Sequence, residues 1–177
     1  MGQAGKSYTM LSDKNLQYNT TFADFNTGNG ATVIGAAGIL VGSSKVALDA
    51  KSKSATVDGV AMTSGQKVTL DKGGSALWDG SNLAVASSEY NINLEVKKDP
   101  NGTDYLDSSV KINGNPFGDG VKPHGLLGQT ADGIAGAKDT GIDQGKQGGT
   151  VIDGTVSDYE VSGLFDTTSS KYNRFSA

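Results

Sequence analysis

The chain has 177 residues, a formal net charge of −4 at pH 7 and no cysteine. This length is enough for a single domain with a core of its own. Because acidic and basic residues are interspersed and form no basic patch, neither nucleic acid nor an anionic membrane surface is an expected partner. No apolar stretch approaches the roughly 20 residues that a membrane-spanning helix needs, so membrane insertion is not expected either.

Short strands are predicted along the first two thirds of the chain. Apolar and polar residues alternate in short segments, and Asp-Gly turns at residues 58–59 and 79–80 separate some of them, a pattern typical of antiparallel sandwiches and barrels. Gly35 or Gly38 interrupts an apolar segment and predicts a β-bulge there. The predicted strands span residues 7–11, 16–22, 32–40, 44–49, 55–57, 66–70, 76–78, 82–86, 90–96 and 105–112.

The last third of the chain has a different character. Glycine recurs every few residues over 114–149, which predicts a long loop, and residues 151–165 return to an alternating, extended pattern. We therefore expect an all-β fold, an antiparallel β-sandwich or barrel-like sheet pair with a long glycine-rich loop near residues 114–149. One domain spans residues 1–165, and residues 166–177 form a C-terminal tail.

Catalytic chemistry has few candidate residues. His124 is the only histidine, and no cysteine or G-x-S-x-G segment supplies a nucleophile for it. A zinc site built from protein side chains nearly always needs more than one histidine or cysteine. We therefore expect the His124 ring to pack or hydrogen-bond within its own turn.

Carboxylates and aromatic residues offer two further alternatives. A glycosidase needs two facing carboxylates, but the only glutamates are Glu89, Glu95 and Glu160, and Glu95 lies on the polar face of a predicted strand. Trp78, the only tryptophan, either covers one end of the core or forms part of a sugar-binding platform. The second interpretation requires exposed aromatic rings around Trp78.

Two motifs carry a resemblance to a known family. Residues 123–130 read PHGLLGQT, and residues 151–165 read VIDGTVSDYEVSGLF. Together they resemble the C-terminal region of inter-alpha-trypsin inhibitor heavy chains, where an HGLLGQ-type turn precedes a DG-x-x-x-DY-x-x-x-x-LF ending. The layout is similar, more distantly, to the von Willebrand factor type D domain, whose turn reads GLCGN. The GDPH-type segment with which D-type domains usually begin is missing.

The resemblance implies a calcium site. D-type domains commonly hold a calcium ion just after the GLCGN turn. Carried over by position, Gln129 falls where the ligating asparagine would be, Asp132 lies among the following ligands, and Asp158 occupies the later acidic position. Glutamine for asparagine is a departure, because one extra methylene moves the amide oxygen. The alternative is that these side chains are solvated loop residues without a metal.

The resemblance and the composition together lead to a functional hypothesis. We expect a non-enzymatic, secreted or surface interaction module that binds a protein or an extracellular matrix component and is stabilised by calcium. The absence of cysteine fits a bacterial relative, outside the cell or on its surface. One alternative is a downstream fragment of a self-processing or hydrolytic secreted protein whose reactive segment lies upstream. Another is a carbohydrate-binding domain.

Overall fold

The computed structural model describes residues 2–25, 28–116, 118–127 and 155–176. Within these ranges the strands pair antiparallel and join into one twelve-stranded sheet, which curls into a half-barrel. The all-β prediction is therefore confirmed. The predicted glycine-rich loop is described only in part, since residues 128–154 lie outside the described ranges.

Most strands lie where the alternating pattern predicts them. Two further strands are only two residues long and carry no periodic signal. The strands are β1 Ser7–Asp13, β2 Leu16–Asp24, β3 Thr32–Val41, β4 Ser44–Asp49, β5 Ser54–Val57, β6 Val60–Ala61, β7 Gln66–Thr69, β8 Ser75–Trp78, β9 Asn82–Ala86, β10 Tyr90–Lys98, β11 Asp104–Ile112 and β12 Glu160–Val161.

The extended pattern predicted over residues 151–165 is wrong for part of that segment. Within its described part, residues 155–165, Val156–Tyr159 forms a 3-10 turn, and only β12 pairs as a strand, with β1. The cause is local: the Thr155 N–H donates to the Asp158 carboxylate over 2.9 Å, and the Asp158 N–H donates to the Thr155 carbonyl over 3.0 Å. This reciprocal capping starts a turn where alternation alone would continue a strand.

The sheet divides at β3. The main path runs β12-β1-β2-β3-β11-β10-β9-β8-β7, while β4, β5 and β6 branch from β3. Residues 36–41 of β3 pair with β4, whereas Ile34 pairs with Leu106 of β11. Gly35 is the extra residue between them, because Thr21 of β2 faces Ala36 and Phe22 faces Ile34. The predicted bulge is thus confirmed at Gly35, at the point where β3 changes neighbours.

The curl of the sheet encloses the core. Tyr18, Leu48, Leu83 and Leu94 are fully buried there, and their removal from water is the main source of stability. Burial is uneven along β3, where the half from Ala37 onward is buried and the first half is partly exposed. One end of the sheet is therefore less covered than the other.

The segment after β12 returns across β1 and β2. The Asn19 amide, which is fully buried, donates to the carbonyls of Leu164 and Asp166 over 3.1 and 2.9 Å. The Arg174 N–H donates to the Ser12 hydroxyl over 2.7 Å. Residues 162–176 are therefore held against the sheet, and we call them the C-terminal strap. The domain boundary at residue 165 stays a prediction.

Candidate functional site

Three carboxylates meet at one end of the half-barrel. Asp13 ends β1, Glu89 directly precedes β10, and Asp119 lies in the segment that follows β11. One oxygen from each lies within 4.8 Å of the others. Asp13 is buried, Glu89 is partly buried and Asp119 is exposed, so the group runs from the interior to the surface. We call these three residues the acidic cluster.

Asp13 is the interior member, with no exposed surface. Its Oδ1 accepts the Lys14 N–H over 2.8 Å, and its Oδ2 accepts the Tyr90 hydroxyl over 2.7 Å. A buried carboxylate without such donors would be strongly destabilising. These two hydrogen bonds favour the charged form of Asp13, although burial is the larger influence and raises its pKa.

Glu89 is the member that titrates near neutral pH. Partial burial, reinforced by the charges of Asp13 and Asp119 and by a hydrogen bond to Asp13, raises the pKa of Glu89 to about 7. Burial and the bond to Asp13 also raise the pKa of Tyr90, which therefore stays a donor. Like charges this close do not both ionise readily, so Asp13 and Glu89 share one proton, held on Glu89.

The arrangement permits two kinds of chemistry. Carboxylate oxygens are ligands for calcium, which takes roughly six to eight of them, and the acidic cluster offers three. The alternative is that a proton alone relieves the repulsion, with protonated Glu89 donating to Asp13. Protonation of Glu89 needs no bound ion, and it accounts for the short distance between the carboxylates of the acidic cluster.

Asp13 does not have the form of one carboxylate of a glycosidase pair. Such a pair must reach the sugar from both sides, with one carboxylate acting as base or nucleophile. Asp13 has no exposed surface, and both of its oxygens accept hydrogen bonds from the protein. It is therefore a structural acceptor for Tyr90 and Glu89.

The predicted calcium ligands are only partly within the described ranges. Gln129 and Asp132 lie outside them. Asp158 is described, and its carboxylate caps the 3-10 turn by accepting the Thr155 N–H. That backbone bond lowers the pKa of Asp158, so the carboxylate is ionised at neutral pH. The calcium site at these three residues stays a prediction.

His124 packs within its turn, as the sequence predicts. It pairs with Ser12 of β1 through two backbone hydrogen bonds, and only 6% of its surface is exposed. Its ring stacks on Tyr172 at a centroid distance of 4.4 Å and on Tyr159 at 5.7 Å. The Gly125 N–H donates to its Nδ1 over 3.0 Å. The ring thus fastens the C-terminal strap and the 3-10 turn to β1.

Burial decides between the two interpretations of Trp78, and a close contact with β1 explains the glycine at position 125. Trp78 is 4% exposed and belongs to the core, so it does not present an exposed sugar-binding surface. Gly125 has a φ of +137°, and a Cβ at this position would overlap the Met10 carbonyl. This close packing against a neighbouring strand leaves room only for glycine at position 125.

Sequence reasoning missed the acidic cluster altogether. In the sequence, Asp13 lies between the predicted strands 7–11 and 16–22, in a turn segment where an aspartate is ordinarily solvated. Tyr90, its hydrogen-bond partner, lies 77 positions away. No spacing rule joins residues so far apart, and only the pairing of the strands brings them together.

Comparison with known proteins gives no identification. No model of a known protein family matches the sequence, and no curated protein matches it either. The resemblance to D-type domains and inhibitor heavy chains is therefore neither supported nor contradicted, and stays a prediction. Among the described residues, no helix has the length and apolar character that crossing a bilayer requires.

Proposed function

We propose that the chain is a non-enzymatic interaction module of a secreted or cell-surface bacterial protein, and that it binds another protein or a matrix component. The observation that carries this proposal is the burial of His124. Histidine is the side chain that most often serves as a general base, yet here it stacks on two tyrosines and its Nδ1 accepts a backbone N–H. Its role is to hold the strap and the turn in place.

The sheet supports the same proposal as a rigid frame with exposed hairpins. Asp58 and Gly59 both have positive φ and form the tight turn between β5 and β6, and the adjacent Val60 is 70% exposed. Binding residues are commonly found on loops that a rigid scaffold positions. Calcium remains part of the proposal through the resemblance, as an ion that would steady such loops.

The second candidate is the hydrolytic one, and the raised pKa of Glu89 is the observation that favours it. A carboxyl that titrates near neutrality has the property expected of a general acid. Its neighbour Asp13 is inaccessible, however, so a two-carboxylate mechanism would have to use the exposed Asp119 as its second group. Asp119 lies in the segment after β11 and outside any strand, which is a poor support for a fixed catalytic geometry, and we place the interaction module first.

Binding and turnover assays separate the two candidates. Biolayer interferometry against immobilised collagen, fibronectin and laminin should give saturable binding to at least one of them. Chromogenic glycoside, ester and peptide substrates should be hydrolysed no faster by the wild type than by Glu89→Gln or by buffer. If the wild type hydrolyses a substrate and Glu89→Gln does not, the proposal of an interaction module is wrong and the chain is an enzyme.

A further inference from the structure

A cleft of about 470 Å³ opens where the sheet divides. Its walls come from the end of β2, the bulge in β3, the end of β4 and the turn between β10 and β11. The Ala50 N–H donates to the Gly35 carbonyl across its base, over 2.9 Å. This volume lies in the range of roughly 300 to 1,000 Å³ in which proteins hold ligands.

The floor of the cleft is apolar and made of small residues. Ala23, Gly35 and Ala36 line it together with Phe22, whose ring packs against Tyr8. All four are only partly buried, in contrast to the buried second half of β3. Ala23 and Gly35 approach so closely that a Cβ on Gly35 would lie 2.9 Å from the Ala23 Cβ. An apolar surface is thus left uncovered beside the bulge.

The rim of the cleft is acidic. Asp24, Asp49 and Asp104 line it, against the single ammonium group of Lys51. The Asp49 Oδ1 accepts the backbone N–H and the hydroxyl of Ser52, over 2.8 and 3.0 Å, which fixes the orientation of this carboxylate. Counting Lys98, whose Nζ lies 3.2 Å from Asp104, three negative charges face two positive charges, and this excess of negative charge favours a cationic ligand.

One wall of the cleft is held by a tight turn. The Thr103 N–H donates to the Asp99 Oδ1 over 2.6 Å, and the Gly102 N–H donates to the Asp99 carbonyl over 3.0 Å. Asp104 follows directly and lies 3.2 Å from the Nζ of Lys98, whose side chain is 57% exposed. The Lys98 end of this pair is solvated, whereas the Asp104 side chain is only 18% exposed, so a cation that enters the cleft would compete with Lys98 for a half-buried carboxylate.

We propose that this cleft binds an arginine side chain of a partner protein. The guanidinium would meet the carboxylates of Asp49 and Asp104, and the aliphatic stem would cover the apolar floor beside Phe22. Arginine fits better than lysine, because its planar, weakly hydrated head can bridge two carboxylates. This inference rests on the proposed function, since it names the chemistry of the partner that the module would recognise.

The test uses N-acetyl-arginine amide and its neutral isostere, N-acetyl-citrulline amide, titrated into the ¹⁵N-labelled chain. Amide resonances of residues 22–24, 35–36, 49–51 and 102–104 should shift saturably with the arginine probe. The citrulline probe should bind at least tenfold more weakly, because it has the same shape without the charge.

Variants of the rim supply the controls. Asp49→Asn with Asp104→Asn should weaken binding at least tenfold, and asparagine at 49 keeps the oxygen that Ser52 needs. Lys51→Ala should tighten binding two- to fivefold, a gain that a damaged fold could not produce. Asp107→Asn is the matched control, because this carboxylate is exposed on the same strand but does not line the cleft.

The proposal is overturned if both probes shift the same resonances equally, or if the double variant binds arginine as the wild type does. If the arginine test fails but the protein still binds a matrix component, the proposed function stands and only the arginine site is wrong. If the wild type binds none of the matrix components, the proposed function itself is contradicted.

Discussion

Glu89 is the residue whose protonation should couple to folding. Its pKa is raised from 4.5 in the unfolded chain to about 7 in the folded protein. The folded state therefore binds more protons than the unfolded state between these two values. Stability from this group is complete below pH 4.5, declines as the pH rises through that window, and is lost above pH 7.

We therefore predict that the wild type loses stability relative to Glu89→Gln as the pH rises from 5 to 8. The glutamine amide can donate to Asp13 at every pH, so the variant lacks this titration. The difference should amount to about 1 to 2 kcal/mol once solvent screening of this partly exposed group is allowed for. Urea unfolding of both proteins across this range measures it. Parallel stability profiles would show that Glu89 does not hold the shared proton.

The contrast between His124 and the acidic cluster shows what single residues reveal in a sequence. The structural role of His124 could be predicted, because the sequence has no second histidine, no cysteine and no G-x-S-x-G segment to accompany it. The role of Asp13 could not, because its burial depends on Tyr90, which a distant strand supplies. Chemistry that depends on local residue types is visible in the sequence, whereas desolvation is a property of the packed molecule.

At the scale of elements, alternation predicts strands well where one face is buried and the other is exposed. In β10, Tyr90, Ile92 and Leu94 are buried and the residues between them are exposed, which is the pattern the sequence displays. β6 could not be predicted, because two residues cannot show a period, and β12 is only the short part of the predicted extended segment 151–165 that pairs as a strand. The 3-10 turn was missed for a related reason, since the Thr155–Asp158 cap competes with alternation over the same few residues.

Asn19 is one of the buried side chains that hold the C-terminal strap. We predict that Asn19→Ala destabilises the protein by about 1 to 3 kcal/mol, because it leaves the carbonyls of Leu164 and Asp166 without their donor. Hydrogen exchange should also become faster in residues 162–176 than in β10. Thermal unfolding and exchange mass spectrometry measure the two effects.

Asn91→Ala provides the comparison for the strap. Asn91 is an exposed strand asparagine, and the bond that its amide makes within the described ranges goes to another exposed side chain, Asn113. Its loss should cost less than about 0.5 kcal/mol and leave exchange in the strap unchanged. Equal effects of the two substitutions would mean that the strap does not depend on Asn19.

At the scale of the whole molecule, the class of fold could be predicted from the sequence, but the topology of the sheet could not. Short strands and turn residues indicate antiparallel β-structure without saying which strands meet. The pairing of β3 with β2, β4 and β11 depends on the bulge at Gly35 and on contacts between strands far apart in the chain. A fork of this kind replaces the two separate sheets of a sandwich with one branched sheet.

Calcium should act on the stability of the whole molecule. At a calcium concentration about 100 times the Kd, binding to the folded state alone adds roughly 2.7 kcal/mol, which is a rise in midpoint of several degrees. Thermal unfolding with calcium and with EDTA, at matched ionic strength, measures it. If the predicted ligands are correct, Asp132→Asn and Asp158→Asn should reduce the rise.

Within the described ranges, the acidic cluster is another place where calcium could bind. If Glu89→Gln removes the rise and Asp158→Asn does not, the ion binds at the cluster and the ligands expected from the resemblance are wrong. The absence of any calcium-specific rise would remove calcium from the proposal and leave a metal-free module.

The pairing of β1 with β12 has a consequence for synthesis. The two strands are linked across almost the whole chain, and the Lys6–Glu160 ion pair beside them joins residues 154 positions apart. During translation β1 leaves the ribosome before β12, and the β1 edge that β12 covers stays open until β12 follows. Open strand edges attract other chains. Nascent chains that stall before residue 160 should therefore be the form most dependent on chaperones.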